Sequence, residues 1–263
     1  MKDITVIIPV HTIDNKIIDM LENALQSVDK NRINYQNIGN VFTKIVCPKN
    51  IVDEINNSLK EKHDFDIIVN NGDTDFCSQI NYAVENIETD YFSILEFDDM
   101  YTEKWFKMVS DYYFTQENTS LFLPITILSD ANANVQFCNE IAWSSSFSKE
   151  IGFIDNDCLQ DFYNFNITGG VFNTKDFKSI GMFKPSIKVA FAYELLLRMT
   201  EKQLKVFVVP KEGYIHGILR ENSLTELYLK EMTKEEIDKW FLLAKNEYKY
   251  DIDRKTTISD FQN

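Results

Sequence analysis

Glu96-Phe97-Asp98-Asp99 is where this sequence could do chemistry: three carboxylates within four residues close the apolar run Tyr91-Phe92-Ser93-Ile94-Leu95. Carboxylates clustered at the end of a buried strand are costly unless something cationic meets them. A divalent metal carrying a phosphate-rich ligand is the simplest such partner, since hard oxygen donors suit it. On an extended segment residues i and i+2 share a face, so Glu96 and Asp98 are expected to point together at one ion or ribose. Asp99 is then expected to point away, towards the cap of the next helix. A solvated acidic loop is the plain alternative. The strand before it reads as buried and central, which favours function. His216 follows a strand-like run and stands near Arg220-Glu221-Asn222-Ser223. An isolated histidine is more often an ordinary surface or hydrogen-bonded one, but this placement makes it a second candidate.

The elements that must hold these residues follow from periodicity. Ile4-Thr5-Val6-Ile7-Ile8-Pro9-Val10 reads as a strand apolar on both faces, ended by Pro9. Asp14 or Asn15 can cap a helix whose apolar positions run from Ile17 to Val28. Strands are expected over 41–47, 65–69 and 91–97, with helices over 51–59, 77–87 and 105–113. Strand and helix therefore alternate four times in about the first 115 residues. This pattern predicts a parallel sheet with right-handed crossovers, whose ligands bind at the strands' carboxyl ends. Pro9-Val10-His11, Asn70-Asn71-Gly72 and Glu96-Phe97-Asp98-Asp99 all lie at such ends. Beyond residue 115, strands are expected at 121–125, 135–137, 171–173 and 205–210. A helix is expected over 192–200, a polar loop over 216–223, and a closing helix or helix pair over 224–246. No repeat or linker divides the chain, so one α/β domain is expected over residues 1–263.

Composition excludes several classes. Apolar residues make up 44% of 263, enough for a sizeable core. No run of eighteen apolar residues is present, so no membrane span is expected, and no signal peptide is recognised at the start. Cys47, Cys77, Cys138 and Cys158 are scattered, which predicts free thiols in a reducing compartment rather than a disulfide or zinc site. A net charge of −14 opposes a duplex nucleic-acid footprint or an anionic membrane surface. A nucleotide ligand is also anionic, so a metal would help to offset this acidic background.

The order of motifs resembles a known family. Val6-Ile7-Ile8-Pro9-Val10 opens the chain, then comes the strand ending in Glu96-Phe97-Asp98-Asp99. Thr168-Gly169-Gly170-Val171-Phe172 follows, then Phe177 with Ile180-Gly181 and Phe183, then Glu194 with Arg198, then Val208-Val209-Pro210 and His216. Over about residues 3–225 this is similar to the GT-A nucleotide-diphospho-sugar transferases, specifically the inverting family-2-type glycosyltransferases, with a flavour shared by some tailed-phage proteins. The resemblance implies a Rossmann-like, mostly parallel central sheet flanked by helices. Its nucleotide-sugar half would be 1–115, its acceptor and catalytic half 116–223, and its C-terminal helical segment 224–263. It implies transfer from a nucleotide sugar, with a UDP-sugar favoured, to a hydroxyl of a glycan, protein or modified nucleobase, with Mn²⁺ or Mg²⁺. A cytoplasmic location is expected, that of the host if the protein is viral.

Residue by residue, the resemblance puts Asp98 and His216 at the metal. Pro9, Val10, His11, Asn71, Gln79, Glu96, Phe97 and Arg220 fall on the donor side. Trp143 lies in the expected acceptor-side segment but reads as core before sugar platform, and Thr168, Gly169 and Gly170 are either a plain turn or an acceptor wall that glycine lets approach closely. Three departures stand out: Cys47-Pro48-Lys49 replaces a common acidic motif, Glu96 replaces an aspartate, and Phe191-Ala192 aligns with the usual catalytic acid pair. Glu194, one turn on, is then the nearest carboxylate and the expected base; it could equally be a structural acid paired with Arg198. The loss of the acid pair also motivates a second reading, a non-catalytic sugar- or nucleotide-binding protein on this fold. A sugar-phosphate nucleotidyltransferase ranks lower, because Pro9-Val10-His11-Thr12 lacks a Gly-rich, Arg-containing loop. A dehydrogenase lacks its G-x-G-x-x-G.

Overall fold

The β-branched runs Ile4–Pro9 (β1), Val41–Cys47 (β2), Asp66–Val69 (β3) and Tyr91–Ile94 (β4) lie side by side in the order β3-β2-β1-β4, all parallel. The structure, a computed structural model, describes residues 3–130, 134–217 and 232–248. The sheet continues through Val171–Asn173 (β9) to Thr119–Ser129 (β6) and Lys205–Gly217 (β10), and ends at Met100–Tyr101 (β5). Val135–Cys138 (β7) pairs with β6, and Phe153–Ile154 (β8) with β10. Strands β6 and β10 run with the first four. The strands that oppose them are only two to four residues long, so the sheet is mostly parallel, as expected.

Both faces of the sheet are covered, because alternate side chains leave in opposite directions. Ile4, Val6 and Ile8 of β1, with Phe207 and Val209 of β10, enter one core. Helices Asn15–Tyr35 (α1), Val52–Leu59 (α2) and Trp105–Tyr113 (α4) close it with Leu21, Leu25, Ile55, Trp105 and Phe106. Ile7, Phe92, Ile94, Val206 and Val208 face the other way. There they meet Phe76–Glu85 (α3), Asn156–Asp161 (α5), Thr174–Ser179 (α6), Phe191–Glu201 (α7) and Lys234–Glu247 (α8). Each fully buried apolar side chain contributes about 1.5–3 kcal/mol. The expected cap of α1 is present, with Asp14 accepting from the Ile17 N–H at 2.8 Å.

Two differences from the sequence reading matter for function. Strand β10 was expected to stop at Pro210 but runs on to Gly217, so His216 sits in a strand rather than a loop. Its pairing with β6 carries register shifts between Val208 and Glu212 and between Glu212 and Tyr214. Such irregularities re-aim the side chains that follow. Gly213 lies in this stretch against Trp105; a Cβ there would fall 2.3 Å from the indole Cε3 and 2.8 Å from Pro124 Cβ. Gly213→Ala is expected to cost about 1–3 kcal/mol by overpacking, seen as a lower urea midpoint.

The other difference is at the acids. Strand β4 ends at Ile94, and the Asp99 N–H bonds the Glu96 carbonyl at 3.0 Å, so 96–99 is a turn rather than an extended segment. A turn brings residues i and i+3 together, and the i, i+2 pairing of Glu96 with Asp98 does not apply.

Candidate functional site

The carboxyl ends of β1, β3 and β4 form one rim. The Val10 N–H bonds the Val46 carbonyl, the Asn70 N–H the Cys47 carbonyl, and the Leu95 N–H the Ile7 carbonyl, all at 2.9–3.0 Å. These ladder bonds carry Val10-His11, Asn70-Asn71 and Leu95-Glu96 out at the same edge. The His11 and Phe97 rings stand 6.1 Å apart at 57°, closing one side of the rim. Burial lowers the pKa of His11, which favours its neutral form.

The long reach of β10 completes the site. Glu96, Asp99 and His216 each offer a ligand atom, and these atoms lie within 4.8 Å of one another. Asp99 is buried and accepts three hydrogen bonds from β10. They come from Tyr214 Oη at 2.9 Å, His216 Nδ1 at 2.6 Å and the Gly217 N–H at 3.1 Å. Burial alone would lower the pKa of His216. The Asp99 hydrogen bond and charge, with the charges of Glu96 and Asp98, outweigh burial and push it up to about 9. Without a cation the imidazole is therefore charged at neutral pH and donates from Nδ1 to Asp99; a divalent ion would take the place of its Nε2 proton, because a ligating imidazole is neutral.

Asp99 thus corrects the sequence reading. It does not point away, and it does not cap α4, whose cap position is Lys104 with no side-chain bond. Asp98, expected at the metal, is half-buried on the same turn and is not one of the three clustered ligands, although its charge reaches His216.

Pro9 ends β1 at the rim, and Asn71 is exposed in the loop after β3. Buried Asn70 shapes that loop, accepting from the Gly72 N–H at 2.9 Å and donating to the Asp73 carbonyl at 2.9 Å. Gln79 is buried on α3 and holds the loop from below through the Thr74 carbonyl at 2.7 Å. Gly169 stands beside the rim, its N–H on the Ile94 carbonyl at 2.8 Å. Thr168 bonds Asn166 Oδ1 through both its N–H and its hydroxyl. Gly170 cannot carry a side chain, since a Cβ would fall 2.9 Å from the Ile167 carbonyl oxygen. Trp143 is not brought to the acids. Its indole donates to the Val208 carbonyl at 2.9 Å, and Val208 pairs with Leu123 where His216 pairs with Leu128. Five residues of strand separate the two levels, about 17 Å. Arg220 lies outside the described residues.

Glu194, the expected base, is 1% exposed on α7. Arg198 grips both its oxygens at 3.0 and 2.8 Å, Tyr248 donates to it at 2.6 Å and Lys184 pairs with it at 2.8 Å. Burial raises its pKa, but the bonds from Arg198, Lys184 and Tyr248 prevail and the net shift is downward. A carboxylate so occupied is a poor proton acceptor.

Sequence reasoning missed Tyr214. The signal was present, since Tyr214 and His216 stand two apart on a strand and so share a face. That inference required knowing that the strand continues past Pro210.

The fold defines a class, a GT-A-like mixed α/β domain with a mostly parallel sheet flanked by helices. Among solved structures the chain is similar to S. aureus TarS 1–349 in complex with UDP-GlcNAc: TM-score 0.64 at 13% identity, over 93% of this chain and 65% of that one. TarS 1–349 alone gives 0.60 at 13%, over 99% of this chain and 77% of that one, and its UDP complex 0.59 at 11%, over the same shares. The chain thus spans just under two thirds of the first of these. No family model matches the sequence, and no curated protein matches it.

Proposed function

We propose that this protein is a glycosyltransferase of the inverting, family-2 type. It would take a UDP-sugar at the rim formed by β1, β3 and β4 and move the sugar to a hydroxyl acceptor. The observation that supports this most is the convergence of Glu96, Asp99 and His216 at the carboxyl edge of a GT-A-like sheet. Two carboxylates and an imidazole within 4.8 Å fit a divalent cation, and the imidazole favours Mn²⁺ over Mg²⁺. When bound, the cation would supply charge stabilisation to the departing diphosphate. Asp98 adds negative charge beside the cluster. Val10-His11 and Phe97 would receive the base, and the loop shaped by Asn70 and Gln79 would border the ribose and phosphates. Thr168-Gly169-Gly170 would edge the acceptor side. Trp143 and Glu194 serve architecture in this reading.

A specific observation favours a second reading, a nucleotide-sugar-binding protein without transfer. Phe191 packs on Phe76 at 5.3 Å and on Phe183 at 5.5 Å where a catalytic acid would be expected, and Glu194 is consumed by its ion pairs.

Thermal denaturation with UDP, with and without Mn²⁺, tests the shared core of both readings. At a hundredfold excess over Kd, UDP is expected to stabilise the protein by about 2.7 kcal/mol, and only when Mn²⁺ is present. No shift with any nucleoside diphosphate would sink both. Release of UDP from UDP-GlcNAc then separates transferase from binding protein.

A further inference from the structure

Tyr214 is fully buried, yet its hydroxyl is used twice at the rim. It donates to Asp99 Oδ2 at 2.9 Å and accepts the Glu96 N–H at 3.1 Å. One phenol therefore ties the two ends of the 96–99 turn, where two carboxylates of like charge stand within 4.8 Å of each other's ligand atoms. Like charges push such a turn apart, and a donor on one carboxylate with an acceptor on the neighbouring backbone opposes that.

The ring is seated by Gly169. A Cβ there would fall 2.4 Å from Tyr214 Cδ2, 2.6 Å from Cγ and 2.8 Å from Cβ, and Gly169 has φ +76°, which itself favours glycine. Gly169 is fixed in turn, its N–H on the Ile94 carbonyl and its carbonyl accepting from the Trp105 indole at 2.7 Å. Tyr101 packs edge-on against the ring at 5.7 Å, its own hydroxyl turned to Ser93 rather than to the acids.

We infer that Tyr214 is the positioning residue of the acid rim, holding Glu96 and Asp99 at ligand spacing for a divalent cation, and that Gly169 is its seat. The inference rests on the metal site proposed above. It gives Gly169 a role independent of any acceptor: the close approach that glycine permits there is to Tyr214. In Tyr214→Phe the ring keeps its seat, while Glu96 N–H and Asp99 Oδ2 each lose a partner. His216 and Gly217 still hold Asp99 from β10, so the slack falls on the Glu96 end.

The test is Mn²⁺ binding without nucleotide, followed by the loss of the free-ion EPR signal. Wild type, Tyr214→Phe, Gly169→Ala and Tyr101→Phe are compared. Tyr101→Phe removes an equally buried hydroxyl that does not touch the rim. Tyr214→Phe is expected to weaken Mn²⁺ about tenfold with a native near-UV spectrum, as loss of an orienting partner does, and Tyr101→Phe to leave it unchanged. Gly169→Ala should match Tyr214→Phe; if it fails to fold, Tyr214→Phe decides alone. Equal affinity in wild type and Tyr214→Phe, or equal loss in Tyr101→Phe, overturns the positioning role while the metal site stands. Absence of Mn²⁺ binding in wild type overturns the metal site and this inference with it.

Discussion

Glu194→Gln is expected to unfold the protein about 6–20 °C early while sparing donor turnover per folded molecule. Glutamine keeps the volume but removes the charge that Arg198 and Lys184 face. The Arg198 side chain is only 7% exposed, so its guanidinium is left buried without its counter-ion. Removing one partner of a buried pair costs about 3–5 kcal/mol, and in a chain of this size each kcal/mol moves Tm by about 2–4 °C. Calorimetry supplies the first number, and UDP-GlcNAc turnover well below the transition the second. An unchanged Tm with turnover abolished would reinstate Glu194 as the base. The same network predicts a pH dependence. The folded pKa of Glu194 lies below its ordinary 4.5, so its contribution is complete above that value and fades as pH falls through the folded value. Wild type should therefore lose stability on acidification below about 4.5 more steeply than Glu194→Gln does.

Asp99→Asn is expected to abolish the Mn²⁺-dependent part of UDP stabilisation and to lower turnover about a hundredfold or more, about 2.7 kcal/mol of barrier. The amide carries no charge, and its NH₂ would face donors from Tyr214 and His216. Asp98→Asn should do less, because Asp98 stands beside the three-ligand cluster rather than in it. Titration of UDP with Mn²⁺ on both variants ranks them. The reverse ranking would return the metal to Asp98.

That contrast shows how far the residues alone could lead. The alternation of apolar runs placed β1 to β4 and their helices, because a strand with two buried faces and a helix with one apolar stripe are local patterns. Asp14 capping α1 was legible for the same reason, its partner being three residues away. The acids at the end of β4 were legible as a candidate ligand site, since carboxylates in line with a buried strand are costly without a cation.

Which acid does what was not legible. The i, i+2 argument assumed an extended chain through Asp98, and a turn beginning at Glu96 paired Glu96 with Asp99 instead. Asp99 is held by Tyr214, His216 and Gly217, each more than a hundred residues away. They reach it because the irregular stretch around Gly213 carries β10 past the proline that should have ended it. Glu194 is decided in the same way. Its pairing with Arg198 follows from helical spacing, but Lys184 and Tyr248 come from the loop before α7 and the end of α8. The sequence by itself therefore determined the sheet, its carboxyl rim and the presence of acids there, because local periodicity and chain direction suffice for these. Only the tertiary structure decided that Asp99 and His216 join Glu96 and that Glu194 is consumed by ion pairs. A side chain's partners depend on which distant backbone packing brings within about 3 Å, and no local pattern encodes that distance.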